Sequence, residues 1–425
     1  MRVLVLGSGG REHALVWAIS RSPLVDEVLC APGSDGIRSD ASVLPVDLAD
    51  PAAVVALARA RAVDLVVVGP EVPLVAGVAD QLEQAEIPVF GPSAAAARLE
   101  GSKAFAKGFM ERHGVPSASY RVFDDADAAE RYAVEQARPL VVKADGLAAG
   151  KGVSVCADLD AARRAIQEAM REQRFGEAGR RVVIEECLTG EEASFYALSD
   201  GEDFICLAAA QDHKRALDGD KGENTGGMGA YSPAPVIDPE VERKIIERIV
   251  RPTIDGMRAE GSPYRGVLYV GLMIADGNPS VIEFNVRFGD PETQPLLFRL
   301  ESDLVPALEA AARGNLGSLT QRELRFGDPA VCVVLASEGY PRGYSTGFPI
   351  EGLESADSVS DVKVFHAGTR YEGGVWLTSG GRVMGVTARG PSVEQARERA
   401  YDVIRRVHFK GAYYRTDIAL RGAGA

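Results

Sequence analysis

The sequence predicts an α/β protein of several domains that opens on a doubly wound parallel sheet. Three observations predict it. Short apolar runs at 3–6, 27–30, 64–68 and 88–90 alternate with helical runs over the first hundred residues. Glycines follow the strands at 3–6 and 64–68 directly, at Gly7 and Gly69. The length, 425 residues, exceeds what one ordinary domain holds.

The elements follow in chain order. A helix is expected over 12–20, then a strand at 27–30. Asp50 and Pro51 supply an N-cap and a proline at the first helical position, so a helix starts there. A helix over 75–84 and the strand at 88–90 close an N-terminal domain of residues 1–100, ending near Gly91-Pro92. Gly101-Ser102-Lys103 opens a helix that runs to His113-Gly114. Residues 120–187 hold β-rich runs around one helix at 159–170, and 188–325 are mixed, with glycine-rich loops. Strands are expected at 330–336, 361–365 and 383–387. Val393, Ala396, Ala400, Val403, Ile404 and Val407 then recur at helical spacing, a core stripe. The last block, 327–425, is therefore a small α+β domain that follows a central unit of 101–326, and its Gly-Ala tail is expected to fray.

Composition excludes several classes. With 46% hydrophobic and 25% charged residues the chain is neither disordered nor collagenous. The net charge of −14 argues against nucleic acid or a membrane surface as partner, because polyanions repel it. Small anions need only a local cluster of cations and N–H groups. No segment reaches the ~20 apolar residues of a membrane span, and the N-terminus turns to glycine too early to read as a signal peptide. Cys30, Cys156, Cys187, Cys206 and Cys332 lack metal-site spacing, which predicts reduced thiols and a cytoplasmic protein.

Five motifs carry chemistry. Gly7-Ser8-Gly9-Gly10-Arg11-Glu12-His13 follows the first strand, where a phosphate can approach a helix N-terminus. The dinucleotide fingerprint fails at Glu12, and the second strand ends in Ala31-Pro32-Gly33 instead of an acid, so NAD is disfavoured. A smaller phosphate ligand and a tight packing turn both remain open, and Gly69-Pro70-Glu71 lies at the same sheet edge. Lys143-Ala144-Asp145-Gly146-Leu147-Ala148-Ala149-Gly150-Lys151-Gly152 lies between β runs, which makes a hairpin flap over phosphates rather than a Walker loop. Its alternative is a surface turn. The run from Glu185 to Glu192 is a hinge whose backbone meets a base edge, or a solvated acidic loop. Lys214-Arg215 and the loop Asn224-Thr225-Gly226-Gly227-Met228-Gly229 suit a closely wrapped anion, with His213 read as structural. Glu283 and Asn285 share one face of a strand as hard oxygen donors for Mg²⁺, and Arg287 extends that face toward a transferring phosphoryl group.

Together these residues resemble the ATP-grasp carboxylate–amine ligases, and within them the phosphoribosylamine–glycine ligase family. The resemblance runs over essentially the whole chain. Its most specific parts are Asn224–Gly229 and Arg287-Phe288-Gly289-Asp290-Pro291-Glu292-Thr293-Gln294. Cys187 departs from the family, where an aromatic is common at the hinge. The resemblance implies a two-sheet ATP-grasp unit with a mobile lid at about 122–187, between the N- and C-terminal domains. It implies ATP, Mg²⁺ or Mn²⁺, and a monomer that joins glycine to 5-phosphoribosylamine through a glycyl phosphate, giving glycinamide ribonucleotide. Arg287, Lys143, Lys214 and Asp290 are then the catalytic set. Lys103, Lys143, Gly150, Lys151 and Gly152 meet the ATP phosphates. Glu185, Glu186, Cys187 and Leu188 frame the adenine, and Glu191 or Glu192 takes the ribose. Glu283 and Asn285 hold the metal. Gly9, Gly10, Arg11, Glu71, Lys214, Asn224, Gly226, Gly227 and Asp290 line the phosphoribosylamine or glycine pocket. Another ATP-grasp ligase, an NAD oxidoreductase and a non-catalytic nucleotide sensor are the rival readings.

Overall fold

The computed structural model describes residues 1–148, 150–319 and 324–423, the side chain of Asp357 aside. Ala149 of the flap and the last two tail residues lie outside them. The first sheet contains β1 (Arg2–Gly7), β2 (Glu27–Pro32), β3 (Ser42–Val43), β4 (Leu65–Val68) and β5 (Val89–Phe90). Its order is β3-β2-β1-β4-β5 and every pairing is parallel. Alternate β1 residues enter different cores, Leu4 and Leu6 one and Val3 and Val5 another, so both faces are covered. This is the doubly wound sheet the sequence predicts.

Two helical expectations in this region need correction. The helix expected at 75–84 is two, Glu71–Val75 and Val78–Gln84, because Gly77 breaks the run at φ +85°. Before the helix Lys103–Arg112 lies an unforeseen one, Ala94–Gly101, capped by Ser93. Its four alanines give no apolar stripe to read.

The central unit holds two four-stranded antiparallel sheets, besides the short hairpin Arg215–Leu217/Lys221–Asn224. One runs in the order Tyr120–Phe123, Val182–Glu186, Leu140–Ala144, Val153–Cys156. It carries two helices rather than the single one expected, Ala126–Gln136 and Leu159–Ile166. The first buries only Ala129 and Ala133, too little for a visible stripe. The helix expected at 159–170 passes into a wider π turn at Gln167–Arg171. Both helices pack on Leu140, Val142, Val182 and Ile184, leaving Lys143, Val183 and Glu185 on the opposite face. The other sheet runs Phe204–Cys206, Glu191–Asp200, Arg265–Ala275, Asn278–Asn285.

The C-terminal sheet is built on Val362–His366, Arg382–Arg389 and Ala330–Ser337. It continues through Gly229–Ser232 and Gln211–Asp212, so its hydrogen bonds cross the boundary expected at 326/327. The helix Val393–Ile404 covers it with the expected stripe, except that Val407 lies beyond the helix end. No helix among the described residues is long and apolar enough to cross a membrane. Cys30, Cys156, Cys206 and Cys332 are buried and Cys187 is half-buried.

Candidate active site

The two central sheets face each other across a cleft lined by lysines and carboxylates. Glu185 lies buried between two ammonium groups, Lys143 at 2.9 Å and Lys107 at 3.3 Å. Lys107 also donates to Ala118 O at 2.7 Å and Ser117 Oγ at 3.2 Å. Lys143 Nζ reaches the opposite sheet and donates to Ile282 O at 2.7 Å. That carbonyl is available because the register shifts here: Glu283 pairs Gly271 and Val281 pairs Leu272, leaving Ile282 outside the ladder. Beyond the bulge Phe284 and Val286 enter the core, so Glu283 and Asn285 share the cleft face.

Burial disfavours ionisation of Glu283, but Lys214, Lys143, Lys103 and Arg287 overcome it and hold the carboxyl down at about 2. Lys214 lies 3.5 Å from Glu283, 3.3 Å from Glu192 and 4.0 Å from Asp212. Although burial lowers it, these carboxylates raise its pKa well above the ordinary value. Asp212 is the converse case: burial, then Glu292, Glu192 and Glu283, push it up against Lys214. Behind it the buried Glu292 accepts from Tyr269 Oη at 2.6 Å, and Ser194 Oγ approaches at 3.4 Å.

The flap is anchored to a helix start. Asp145 Oδ1 accepts from Ser102 Oγ (2.9 Å) and from the Ala104 N–H (3.0 Å), and Lys103 Nζ donates to Gly146 O (2.9 Å). Burial lowers the Lys103 pKa against the pull of Glu283. At the tip, Gly150 adopts φ +73° beside Thr225 O, so flap and glycine loop meet.

At the N-terminal sheet edge, Glu12 explains two of the glycines. Its Oε2 accepts the Gly9 N–H at 2.7 Å and its Oε1 pairs Arg11 Nε at 2.5 Å. A Cβ on Gly69 would lie 2.2 Å from Glu12 Oε1, and one on Gly7 would lie 2.4 Å from Glu12 Cγ. Gly7 and Gly69 therefore serve packing, whereas Gly9 and Gly10 face Asp290 at the start of the helix Gly10–Ser20. Arg287 is held by Glu71 at 3.3 Å and Glu100 at 3.2 Å. Burial opposes its charge, but the two carboxylates raise its pKa. Asp290 accepts from Gln294 Nε2 at 2.8 Å and from Arg382 Nη2 at 2.9 Å.

The sequence-derived residues gather in three places. Lys103, Lys143, Lys214, Glu185, Glu192, Glu283 and Asn285 line the cleft between the sheets. Gly150, Lys151 and Gly152 form the flap tip, with Lys151 exposed. Gly9, Gly10, Arg11, Glu71, Gly226, Gly227, Arg287 and Asp290 surround the N-terminal edge, with Asn224 leading into that loop. Cys187 and Leu188 are half-buried at the end of the hinge strand and Glu191 is exposed. The Glu186 carboxylate turns from the cleft, accepting the Ser119 N–H at 3.1 Å and facing Arg138 at 3.4 Å. Strand alternation predicts that reversal relative to Glu185. Sequence reasoning assigned nothing to Lys107, Glu100, Asp145, Asp212, Glu292 or Arg382. Asp145 and Glu292 lie inside the motifs given above, Asp212 is two residues from Lys214, and Lys107, Glu100 and Arg382 touch the site only through long-range packing.

The metal expectation is testable on the donor set. Among the described residues no cluster of three His, Cys, Asp or Glu side chains could hold an ion. A strongly ionised Glu283 beside Asn285 offers two hard oxygens, which fits Mg²⁺ or Mn²⁺ completing its shell with phosphate oxygens and water.

Known proteins resemble the chain along its length. The phosphoribosylglycinamide synthetase N domain matches residues 1–100, its ATP-grasp (A) domain 101–293 and its C domain 330–421. A phosphoribosylamine–glycine ligase of Allochromatium vinosum is 52% identical over 99% of this chain and 98% of its own. The chloroplastic one of Arabidopsis thaliana is 53% identical over 97% of this chain and 78% of its own. The crystal structure of the Thermotoga maritima ligase superposes with TM-score 0.85 at 35% identity, covering 99% of this chain and all of that one. A biotin carboxylase domain from Hydrogenobacter thermophilus, solved with MgADP, shares the fold at TM-score 0.74 and 19% identity, over 97% and 91% of the two chains. With all three domains matched in order and half the residues identical end to end, the chain belongs to the phosphoribosylglycinamide synthetase, or phosphoribosylamine–glycine ligase, family.

Proposed function

We propose that this protein catalyses ATP + glycine + 5-phosphoribosylamine → ADP + phosphate + glycinamide ribonucleotide, a ligation in purine biosynthesis. The observation that carries the reading is the set of cations converging on Glu283: Lys103, Lys143, Lys214 and Arg287. Such a set suits phosphoryl transfer, where positioning and charge neutralisation dominate.

A carboxylate is a poor electrophile because its oxygen does not leave. A glycine carboxylate oxygen attacks the γ-phosphorus, the bond to the β,γ-bridging oxygen breaks and ADP departs. The amine nitrogen of phosphoribosylamine then attacks the carbonyl carbon of the glycyl phosphate. The C–O bond breaks, phosphate leaves with the electron pair, and the nitrogen loses a proton. Lys103 and Lys143 neutralise the nucleotide phosphates, and Gly150, Lys151 and Gly152 cover them. The hinge from Glu185 to Leu188 frames the adenine, Glu186 through its backbone, and Glu192 or Glu191 takes the ribose. Glu283 and Asn285 would hold Mg²⁺ or Mn²⁺, which neutralises phosphate charge when bound. Arg287 and Lys214 steady the transferring group. Gly9, Gly10, Arg11, Glu71, Asn224, Gly226, Gly227 and Asp290 form the pocket for phosphoribosylamine and glycine.

The lid of this reading is residues 122–187, within a unit of 101–326 that lies between domains 1–100 and 327–425. Its closure keeps water from the glycyl phosphate. The enzyme works as a cytoplasmic monomer on small molecules, without nucleic acid or membrane; the acidic net charge of −14 supports this.

ADP release from Mg-ATP tests the function. It is measured with glycine alone, phosphoribosylamine alone and both. Release that needs both, at one ADP per amide, is the expected result. Release only with another acid and amine would overturn the substrates.

A further inference from the structure

We infer that Arg382, on the C-terminal domain, is a positioning residue for the amine-substrate pocket. Its guanidinium joins two pocket loops that have no sequence neighbour in common. Nη1 donates to Gly226 O at 2.9 Å and to Asp290 O at 2.7 Å, with Gly227 O at 3.4 Å. Nη2 donates to Asp290 Oδ2 at 2.9 Å. Asp290 is thus gripped at its backbone and its carboxylate by one planar group. Gln294 fixes the other carboxylate oxygen. That carboxylate lies 3.7 Å from where a Cβ would stand on Gly9 or Gly10.

The glycine loop is shaped for this grip. A Cβ on Gly226 would stand 2.9 Å from the Arg382 Cζ. Gly227 adopts φ +115°, and a Cβ there would stand 2.3 Å from Pro291 Cδ. The two loops therefore approach as closely as they do only because both glycines lack side chains. A second tie, this one through a hydroxyl, comes from the same domain, since Tyr340 Oη accepts the Gly226 N–H at 3.1 Å.

Arg382 is the first residue of the strand Arg382–Arg389 and pairs Ala336 in the C-terminal sheet, next to a register shift. The forked donor set fixes Asp290 at both its backbone and its carboxylate, which a lysine's single ammonium does not reproduce. The role assigned is orientation: Arg382 acts on substrate through Asp290 and Gly226. It rests on the ligase reading proposed above and adds a C-terminal contribution to the amine-substrate pocket.

Steady-state kinetics of R382A and R382K, each substrate varied in turn, test the inference, with thermal melts of both variants. Expected is a fall of about 100-fold in kcat/KM for phosphoribosylamine or glycine in both variants, because misplacement near 1 Å has that effect. KM for Mg-ATP stays within about twofold, since Arg382 does not reach the nucleotide cleft. Guanidinium ion at tens of millimolar restores part of the R382A activity, and R382K does not recover by itself. Equal losses for ATP and the other substrates, with no guanidinium rescue, would overturn the role in favour of general packing. Wild-type kinetics in both variants would overturn it too. If R382A does not fold, R382K carries the same comparison. Failure of the ligase reading itself shows separately, as a wild-type enzyme that makes no amide.

Discussion

Replacing Glu283 by glutamine removes one charge and almost no volume. The Lys214 ammonium stands 3.5 Å away. At an effective dielectric constant of about 20 that pair alone amounts to roughly 5 kcal/mol before screening. The side chain is 34% exposed, so about 1–2 kcal/mol is a fair share after discounting for solvent, or roughly tenfold in rate. Loss of a carboxylate at the proposed metal pair adds about 10- to 100-fold, the range seen for perturbed metal sites. Turnover of E283Q should fall by about 10²–10³-fold. The fold should survive, because Lys214 keeps Glu192 at 3.3 Å and the core face of the strand is untouched. The assay is ADP release with all three substrates at saturation, alongside a thermal melt. Turnover within about threefold of wild type would refute both the metal assignment and the charge argument.

Lys107→Met should lower the urea midpoint by an amount worth about 2–3 kcal/mol and raise KM for ATP. It strips Glu185 of one of its two buried partners and leaves Ala118 O without its donor; an unchanged midpoint contradicts this. Gly69→Ala should destabilise by about 2–3 kcal/mol, because its Cβ would meet Glu12 Oε1 at 2.2 Å and Leu6 O at 2.6 Å. A wild-type melting temperature would show that Glu12 moves at no cost. Acid should unfold the protein through groups held below their ordinary values. Burial raises Asp40, but His13, Lys363 and Ser39 hold it at about 2 against an ordinary 3.8. A depressed folded-state pKa contributes stability above the unfolded value and loses it as pH falls, so Asp40 gives up about 2 kcal/mol between roughly pH 4 and 2. The Glu283 contribution is lost over the same direction of titration. D40N should flatten the stability curve in that window, and an unaltered slope in calorimetry would exclude Asp40 as a source.

What the sequence discloses is what lies close along the chain. Glu283 and Asn285 are two residues apart, and strand alternation puts them together wherever the strand folds. The bulge at Ile282 was not legible, yet it falls before the pair and leaves the prediction intact. The sequence singles out Lys143 as a candidate phosphate lysine, but its bond to Ile282 O spans 139 residues and no local pattern encodes it. Lys107 was hidden by its surroundings, because a lysine between Ala106 and Phe109 on an amphipathic helix reads as solvated surface. It is 2% exposed only because the hinge strand returns Glu185 beside it. The missed helix Ala94–Gly101 shows the complementary gap: its Ser93 cap was readable, but four alanines carry no periodicity.

The charge arrangement also gives the proposed metal site a physical reason. The cations are Lys103, Lys107, Lys143, Lys214 and Arg287. Around them stand Glu71, Glu100, Glu185, Glu192 and Glu283, each paired to or pulling on one of those cations. The cleft therefore has no surplus of positive charge, and the whole chain carries −14. A nucleotide triphosphate brings several negative charges into this balance. In the proposed reading Lys143 would meet phosphate only by loosening from Glu185, and Lys214 only by loosening from Glu192 or Glu283. Every such exchange leaves a carboxylate needing a partner in a poorly solvated cleft. Glu283 and Asn285 would hold a divalent cation there, which would offset phosphate charge and give the freed carboxylate a partner. The pairing of Glu283 with lysines is thus what a site built for a metal–nucleotide complex should look like before the complex arrives.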